Sequence, residues 1–407
     1  MQKIKNYIRV PYGQSVHGAE EINAVNSVLK SSTQMGKSVF KFENKIAKLF
    51  QKKYGLMVNS GSSALLLAFE ALNLPKGSEV ITPTLTFATT VSYILKYGLK
   101  PVFVDVDQRT YCANLEQINN KISKNTSAII APHLLGNIVD WEKVKKFCQN
   151  KKIKLIEDSA DTLGAKIRGK LIGKYTDVSI TSFYGSHIIN GAGNGGMVCF
   201  NDKKIYHKAK LLRSWGRSSS LFDENSEKIE NRFNIKLDGI PYDKKFVFQE
   251  IGHNLEPSEI SAAFGLVQLK NLSKNIKKRI LVFKAHNKFF DNLSKHFITP
   301  ISTPESISGW LAYPILIAPH SKIKRNDLQI FLEKRNIQTR VVFTGNILRQ
   351  PGFSHLNKPS NLASRFINAD YVMKKGMLIA CHHGVNDQML NHLHGSFISF
   401  LKQKDLL

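Results

Sequence analysis

The sequence predicts an α/β fold: a large unit on a mostly parallel sheet covered by helices, then a small C-terminal α+β unit. Three observations predict it. Short apolar runs alternate with helical stretches between residues 54 and 200, the βαβ pattern of a parallel sheet. Most of those runs are apolar throughout, as expected of strands buried on both faces. After a long helical region the pattern changes over 310–407 to a few strands and helices, which reads as a separate small unit. The expected division is 1–255 and 256–407.

The elements follow in order. Phe42, Ile46, Leu49 and Phe50 recur at i, i+4, i+7 and i+8, so the N-terminal stretch is helical. YGLMVNS (54–60), SEVITPT (78–84), PVFVDV (101–106), SAIIAPHLL (127–135), IKLIEDS (153–159), DVSITSFY (177–184) and GGMVCF (195–200) read as strands. Helices fill the gaps, as over 62–72, 88–96 and 140–150. A polar, irregular segment covers 218–250. A helical region beginning near Pro257 runs towards His296, with a break near Asn271–Ser273, and links the two units. WLAYPILIA (310–318) and IQTRVVF (337–343) flank a helix near 325–335, and a last helix starts at about Asp387.

Composition narrows the function. The chain has 407 residues, 42% hydrophobic and 22% charged, which excludes a disordered chain, a collagen-like fibre and a disulfide miniprotein. No apolar run reaches the roughly 18 residues of a membrane helix. The start, MQKIKNYIRV, lacks the apolar core of a secretory signal, so the cytoplasm is the expected compartment and no membrane partner is expected. Lys+Arg 58 against Asp+Glu 31 gives +27, a field that attracts nucleic acid or phosphorylated small molecules. The basic residues are scattered in pairs such as Lys52/Lys53 and Lys277/Lys278. No nucleic-acid motif accompanies them, so nucleic acid is not expected. Cys112, Cys148, Cys199 and Cys381 are far apart and read as free thiols. His382 and His383 follow Cys381, but neighbours in an extended segment point to opposite faces, so no metal site is expected.

Four motifs carry chemistry. GAGNGG (191–196) has the letters of a dinucleotide loop, yet it precedes a strand instead of opening a helix. It reads as a glycine turn that lets backbone come close to something. NSGSSA (59–64) follows a strand and opens a helix, where free N–H groups make an anion site; Ser62 either caps the helix or helps to hold the anion. IEDSAD (156–161) places Asp158 at the C-terminal edge of a parallel strand, where ligands of such sheets bind. TSFYGSHIINGAGNGG (181–196) ends a strand at Ser182, reaches His187, and runs into the glycine turn.

Together these motifs resemble the fold-type I pyridoxal-phosphate enzymes of nucleotide-sugar metabolism, the sugar aminotransferase superfamily (DegT/DnrJ/EryC1/StrS). The resemblance covers nearly the whole chain. In that family a lysine after the Ser-Phe strand end holds the cofactor covalently and moves the proton. The matching position here is His187, and no lysine lies between Lys174 and Lys203. An imidazole makes no stable covalent link of this kind, but it can serve as general base near neutral pH. The same replacement marks the NDP-4-keto-6-deoxyhexose 3-dehydratase branch, whose GDP-sugar members Leu134–Asn137 and Thr344–Asn346 also resemble.

The resemblance implies the rest. The cofactor is pyridoxal or pyridoxamine 5′-phosphate, held without a covalent bond. Gly61, Ser62 and Ser182 meet its phosphate, Phe87 stacks on the ring, and Asp158 keeps the ring nitrogen protonated. Asp161 stands where relatives often have Gln or Glu near the phenolic oxygen, and Asn194 replaces a usual acid. Asn254 reaches the phosphate of the neighbouring subunit, which implies a homodimer. Arg213, Trp215 and Arg217 either meet the sugar or its diphosphate or form a solvated basic loop. Glutamate is the implied amino donor, and the implied product is a dideoxysugar of the O-antigen kind. The clustered cysteines of the iron–sulfur member are missing, so no iron–sulfur cluster is expected. Two rival readings are a sugar aminotransferase and a non-catalytic anion- or nucleic-acid-binding protein on the same fold.

Overall fold

A computed structural model describes residues 7–222, 232–356 and 361–407. Residues 223–231 of the irregular segment, and the first six residues of the N-terminal start, lie outside that description.

The large sheet has seven strands: β1 (Tyr54–Val58), β2 (Glu79–Pro83), β3 (Lys100–Val104), β4 (Thr126–Pro132), β5 (Lys154–Asp158), β6 (Val178–Ser182) and β7 (Gly196–Phe200). Their order is β1-β7-β6-β5-β4-β2-β3. β7 runs antiparallel to both its neighbours, and the other pairs are parallel. Alternate residues point to opposite faces, and both faces are buried. Val80, Ala128, Ile130 and Val198 join one core, Ile81, Ile129 and Ala131 a second, and Met57, Met197 and Cys199 a third. That two-sided burial is why these strands read as unbroken apolar runs.

Helices α1 (Ala19–Leu29), α2 (Lys37–Leu49), α3 (Gly61–Leu72), α4 (Ala88–Lys96), α5 (Leu115–Lys121), α6 (Trp141–Phe147) and α7 (Lys203–Arg213) cover the sheet. The long helical region divides at Asn271 into α8 (Glu259–Lys270) and α9 (Leu272–Asp291). α8 packs on α1 and α2, while α9 sends Phe283 and Phe290 into the C-terminal core.

The C-terminal sheet is antiparallel, ordered β8 (Phe297–Ile298), β9 (Tyr313–Ile317), β10 (Gly376–Ile379). Helices α10 (Arg325–Glu333), α11 (Ile367–Lys375) and α12 (Asp387–Gln403) back it. The run 337–343 forms no regular strand. It makes two isolated pairings, Val10 with Ile337 and Arg340 with Leu378. α11 and β10 go beyond the sequence reading. The C-terminal core continues into Leu85, Val106, Leu134 and Leu135, which belong to loops at the C-terminal edge of the large sheet. That seam positions the site. No helix among the described residues is long and apolar enough to cross a membrane.

Candidate active site

A cavity of about 420 Å³ opens at this seam. Gly61, Ser62, Phe87, Asp158, Asp161, Ser182 and His187 all line it, although they come from four different connections: β1–α3, β2–α4, β5–β6 and β6–β7. Strand ends and helix starts supply them, as the parallel topology requires.

α3 begins where β1 ends. Its cap is Ser60, whose Oγ accepts from the Ser63 N–H at 3.0 Å. Ser62 is therefore not needed as the cap, and it faces the cavity instead. Gly61 lies so close to the end of β6 that a Cβ there would stand 2.7 Å from Ser182 Cβ. The glycine turn after His187 explains itself in the same way: a Cβ on Gly196 would stand 2.2 Å from the Ser60 carbonyl oxygen. Bare backbone on both sides brings the α3 N-terminus, with its free N–H groups, against Ser182. Such a pocket suits a phosphate.

Asp158 is buried at the end of β5. Its Oδ1 accepts from the Ala160 N–H at 3.0 Å and its Oδ2 from Thr90 Oγ1 at 3.2 Å. Burial raises its pKa, against those two hydrogen bonds. A carboxyl held this way gains from a cationic ligand group, such as a protonated pyridine nitrogen. Phe87, a large apolar ring left 52% exposed, lines the same cavity in a T-shaped contact with Phe343, centroids 6.2 Å apart. An exposed flat ring, an under-compensated carboxyl and a backbone anion pocket in one cavity fit the three parts of pyridoxal phosphate.

Asp161 is buried too, and its Oδ2 accepts from the Leu135 N–H at 2.8 Å. Leu135 has φ 58° and Gly136 φ 92°, so this hydrogen bond braces a turn with a non-glycine residue in the left-handed region. Burial, with help from Asp158, pushes the Asp161 carboxyl up to about 7.

His187 is half-buried. Its Nδ1 lies 3.3 Å from the Ser182 carbonyl oxygen, which can only accept. Nδ1 therefore carries the hydrogen and Nε2 keeps its lone pair. Tyr184 meets the imidazole edge-on at 5.9 Å. Burial, and then the Arg279 cation, push the imidazole down to about 4, so it is neutral at pH 7.

Four candidates lie elsewhere. Arg213 does not meet the cavity: it is buried, donating from Nη1 to Glu43 Oε1 at 2.8 Å and to the Met57 carbonyl at 2.9 Å. The reason is that α7 lies against β1, and the buried Glu43 needs a cation. Arg217 stacks on Trp215, 4.3 Å from guanidinium to ring centroid, and neither lines the cavity. Asn254 is exposed, outside the cavity lining, with its backbone bridged to Ser214. Tyr12, Leu311 and Phe343 do line the cavity. Tyr12 arrives through the pairing of Val10 with Ile337, a contact across more than three hundred residues that no local pattern announces. No cluster of three His, Cys, Asp or Glu suited to a metal is found among the described residues, and the four cysteines are buried and unpaired.

The profile of the DegT/DnrJ/EryC1/StrS aminotransferase family matches residues 16–397. The chain belongs to this family. Within the family it is 31% identical to the GDP-4-keto-6-deoxy-D-mannose 3-dehydratase of Yersinia pseudotuberculosis, over 96% of this chain and 98% of that protein. It is also 31% identical to the dTDP-4-dehydro-2,6-dideoxy-D-glucose 3-dehydratase of Saccharopolyspora spinosa, over 96% of this chain and 86% of that protein. Among solved structures of the family, the E. coli GDP-4-keto-6-deoxy-D-mannose-3-dehydratase with bound hydrated PLP superposes with a TM-score of 0.83 at 28% identity, covering 96% of this chain and 100% of that one.

Proposed function

We propose that this member of the family is a pyridoxal/pyridoxamine-phosphate-dependent 3-dehydratase of an NDP-4-keto-6-deoxyhexose. The observation that carries the reading is His187: a neutral imidazole with its Nε2 lone pair free, in the cavity where a lysine would hold the cofactor covalently. Two relatives named as 3-dehydratases and the likeness to a PLP-containing dehydratase structure support it.

When bound, pyridoxamine phosphate supplies the amine that takes up the C4 ketone and the ring that accepts the electron pair. The chain's own groups do the remaining work. The α3 N-terminus at Gly61 and Ser62, with Ser182, holds the phosphate. Phe87, in the cavity wall, would stack on the ring. Asp158 holds a proton on the ring nitrogen, which makes the ring an electron sink. His187 Nε2 takes the proton from the cofactor's C4′ carbon. With no lysine ammonium to return a proton at the sugar's C4, loss of the C3 hydroxide is favoured over amine transfer. The balance is a 4-keto-3,6-dideoxyhexose nucleotide, ammonia and, from glutamate as donor, 2-oxoglutarate.

The working unit is a homodimer. Asn254, exposed and outside its own cavity, serves the phosphate of the partner's site. Mass spectrometry of products from GDP-, CDP- and dTDP-linked 4-keto-6-deoxyhexoses, supplied with the cofactor and glutamate, tests the proposal. A 3-deoxy keto sugar with ammonia supports it. An amino sugar would mean an aminotransferase, and no turnover with any substrate would mean a binding protein.

A further inference from the structure

We infer that Arg279 is a positioning residue for His187: it ties the His187 backbone to a second wall of the cavity and sets a buried cation near the base, adding to the effect of burial. This rests on the reading of His187 as the general base.

Arg279 lies on α9 and is fully buried. Its Nη2 donates to the His187 carbonyl at 3.3 Å, and its Nη1 donates to the carbonyls of Trp310 and Leu311, both at 3.0 Å. Leu311 lines the cavity, and its N–H donates to the Leu135 carbonyl at 2.8 Å, in the turn that Asp161 braces. One planar, rigid fork thus joins the loop bearing the base to the wall built from the C-terminal unit. Gly309 leaves room for it, since a Cβ there would stand 3.3 Å from Arg279 Cδ.

A buried guanidinium is normally matched by a carboxylate, because an unpaired buried charge is costly. Among the described residues its side-chain partners are backbone carbonyls, and its Nε has none. The charges it feels come from Cys381 and Tyr12, neither of them an anion at pH 7. The charged and titratable groups around His187 are Tyr184 beside its ring, Tyr12, Asp158 and Asp161 in the cavity wall, and Arg279. His382 and His383 feel the same cation, and burial and that cation push both down. Burial raises both Asp158 and Asp161, the latter to about 7, so Asp161 offsets the cation only in part. An imidazolium formed at His187 is therefore unstable, and it readily gives its proton back.

The test is an NMR titration of the full chain carrying ¹³C-labelled histidine, with the His187 signal assigned by its loss in His187→Asn. In the unaltered protein His187 stays neutral as the pH is lowered to about 5.5, well under the ordinary imidazole value. Arg279→Met raises its titration by on the order of one pH unit. Arg279→Lys, which keeps the charge but not the fork, leaves the titration low. An unmoved titration in Arg279→Met, or an equal move in Arg279→Lys, overturns the inference. Should Arg279→Met not fold, Arg279→Gln carries the same arm. A His187 that titrates at the ordinary value in the unaltered protein overturns it without any variant. Because the readout is not turnover, a failure of the general-base reading would show separately, as activity surviving in His187→Asn.

Discussion

In the proposed mechanism a single side chain, His187, decides between two reactions. A lysine freed from the cofactor can return a proton to the sugar carbon and complete amine transfer, whereas the shorter imidazole is poorly placed for that delivery. Each tenfold change in partition needs only about 1.4 kcal/mol of barrier difference. Borohydride reduction of the pyridoxal form should leave the protein mass unchanged, and His187→Lys should gain the mass of one reduced cofactor while losing deoxygenation. His187→Asn should lower turnover by about 10²–10⁴-fold, the usual worth of a general base. Near-native activity in that variant would point to the Tyr184 hydroxyl or to the substrate's own groups. Asp161 allows a prediction on pH. Its folded pKa of about 7 lies above the ordinary carboxylate value, so the folded state holds a proton that the unfolded chain releases. The stability it contributes is present at low pH and is lost as pH rises from about 4 to about 7. Asp161→Asn cannot ionise. Its melting temperature should therefore gain on the unaltered protein across that window and run parallel above it, as thermal unfolding at several pH values would show.

Elements meet at this site through missing atoms as much as through side chains. Gly61 and Gly196 allow the start of α3, the end of β6 and the glycine turn to touch. The sequence reading anticipated a turn that lets backbone approach something, and the structure identifies that something as Ser60 and Gly61. The same reading left Ser62 between cap and anion holder, and the Ser60–Ser63 hydrogen bond removes the need for the first. Capping also works at long range. The N-cap of α2 is Gly36, which has no capping side chain. Glu259, in the first turn of α8, receives the Gly36 N–H at 2.8 Å, the Val39 N–H at 3.2 Å and the Ser38 N–H. Glu259→Ala should therefore cost about 1–2 kcal/mol, the scale of a lost cap with donors left buried, readable in urea unfolding. A change under about 0.3 kcal/mol, within the range of an ordinary surface substitution, would show that water replaces the carboxylate.

For the whole molecule the seam between the large sheet and the C-terminal unit is the functional feature. One continuous core runs from Phe397 and Tyr313 to Leu134 and Leu85, so the cavity walls are held by packing and not by a hinge alone. The +27 charge suits a nucleotide-sugar substrate without requiring nucleic acid. The proposed homodimer is testable by complementation. Mixing inactive His187→Asn and Asn254→Ala subunits should restore part of the activity, because a hybrid dimer can hold one site with both native residues. If subunits exchange and activity never returns, Asn254 does not serve the partner's site.

Much of the site was legible because local chemistry announced it. A glycine that must admit a neighbouring backbone, an acid at a strand end and a histidine in place of a lysine are each readable within a few residues, and the two-sided burial of a parallel sheet leaves its strands as apolar runs. Ser62 and Asp158 could be read in this way; Gly61, Phe87, Asp161, Ser182 and the significance of His187 came with the family resemblance, and the structure gathers all seven in one cavity. Arg213 could not, because its partner Glu43 lies 170 residues away. The run at 337–343 meets Val10 and Leu378 only in single bridges, so it completes no regular strand. Tyr12, Phe343 and Arg279 acquire their places only when the two sheets pack together. Motif and periodicity report what a residue requires of its immediate surroundings; the tertiary structure decides which distant group meets that requirement, since burial and charge pairing are properties of the packed whole.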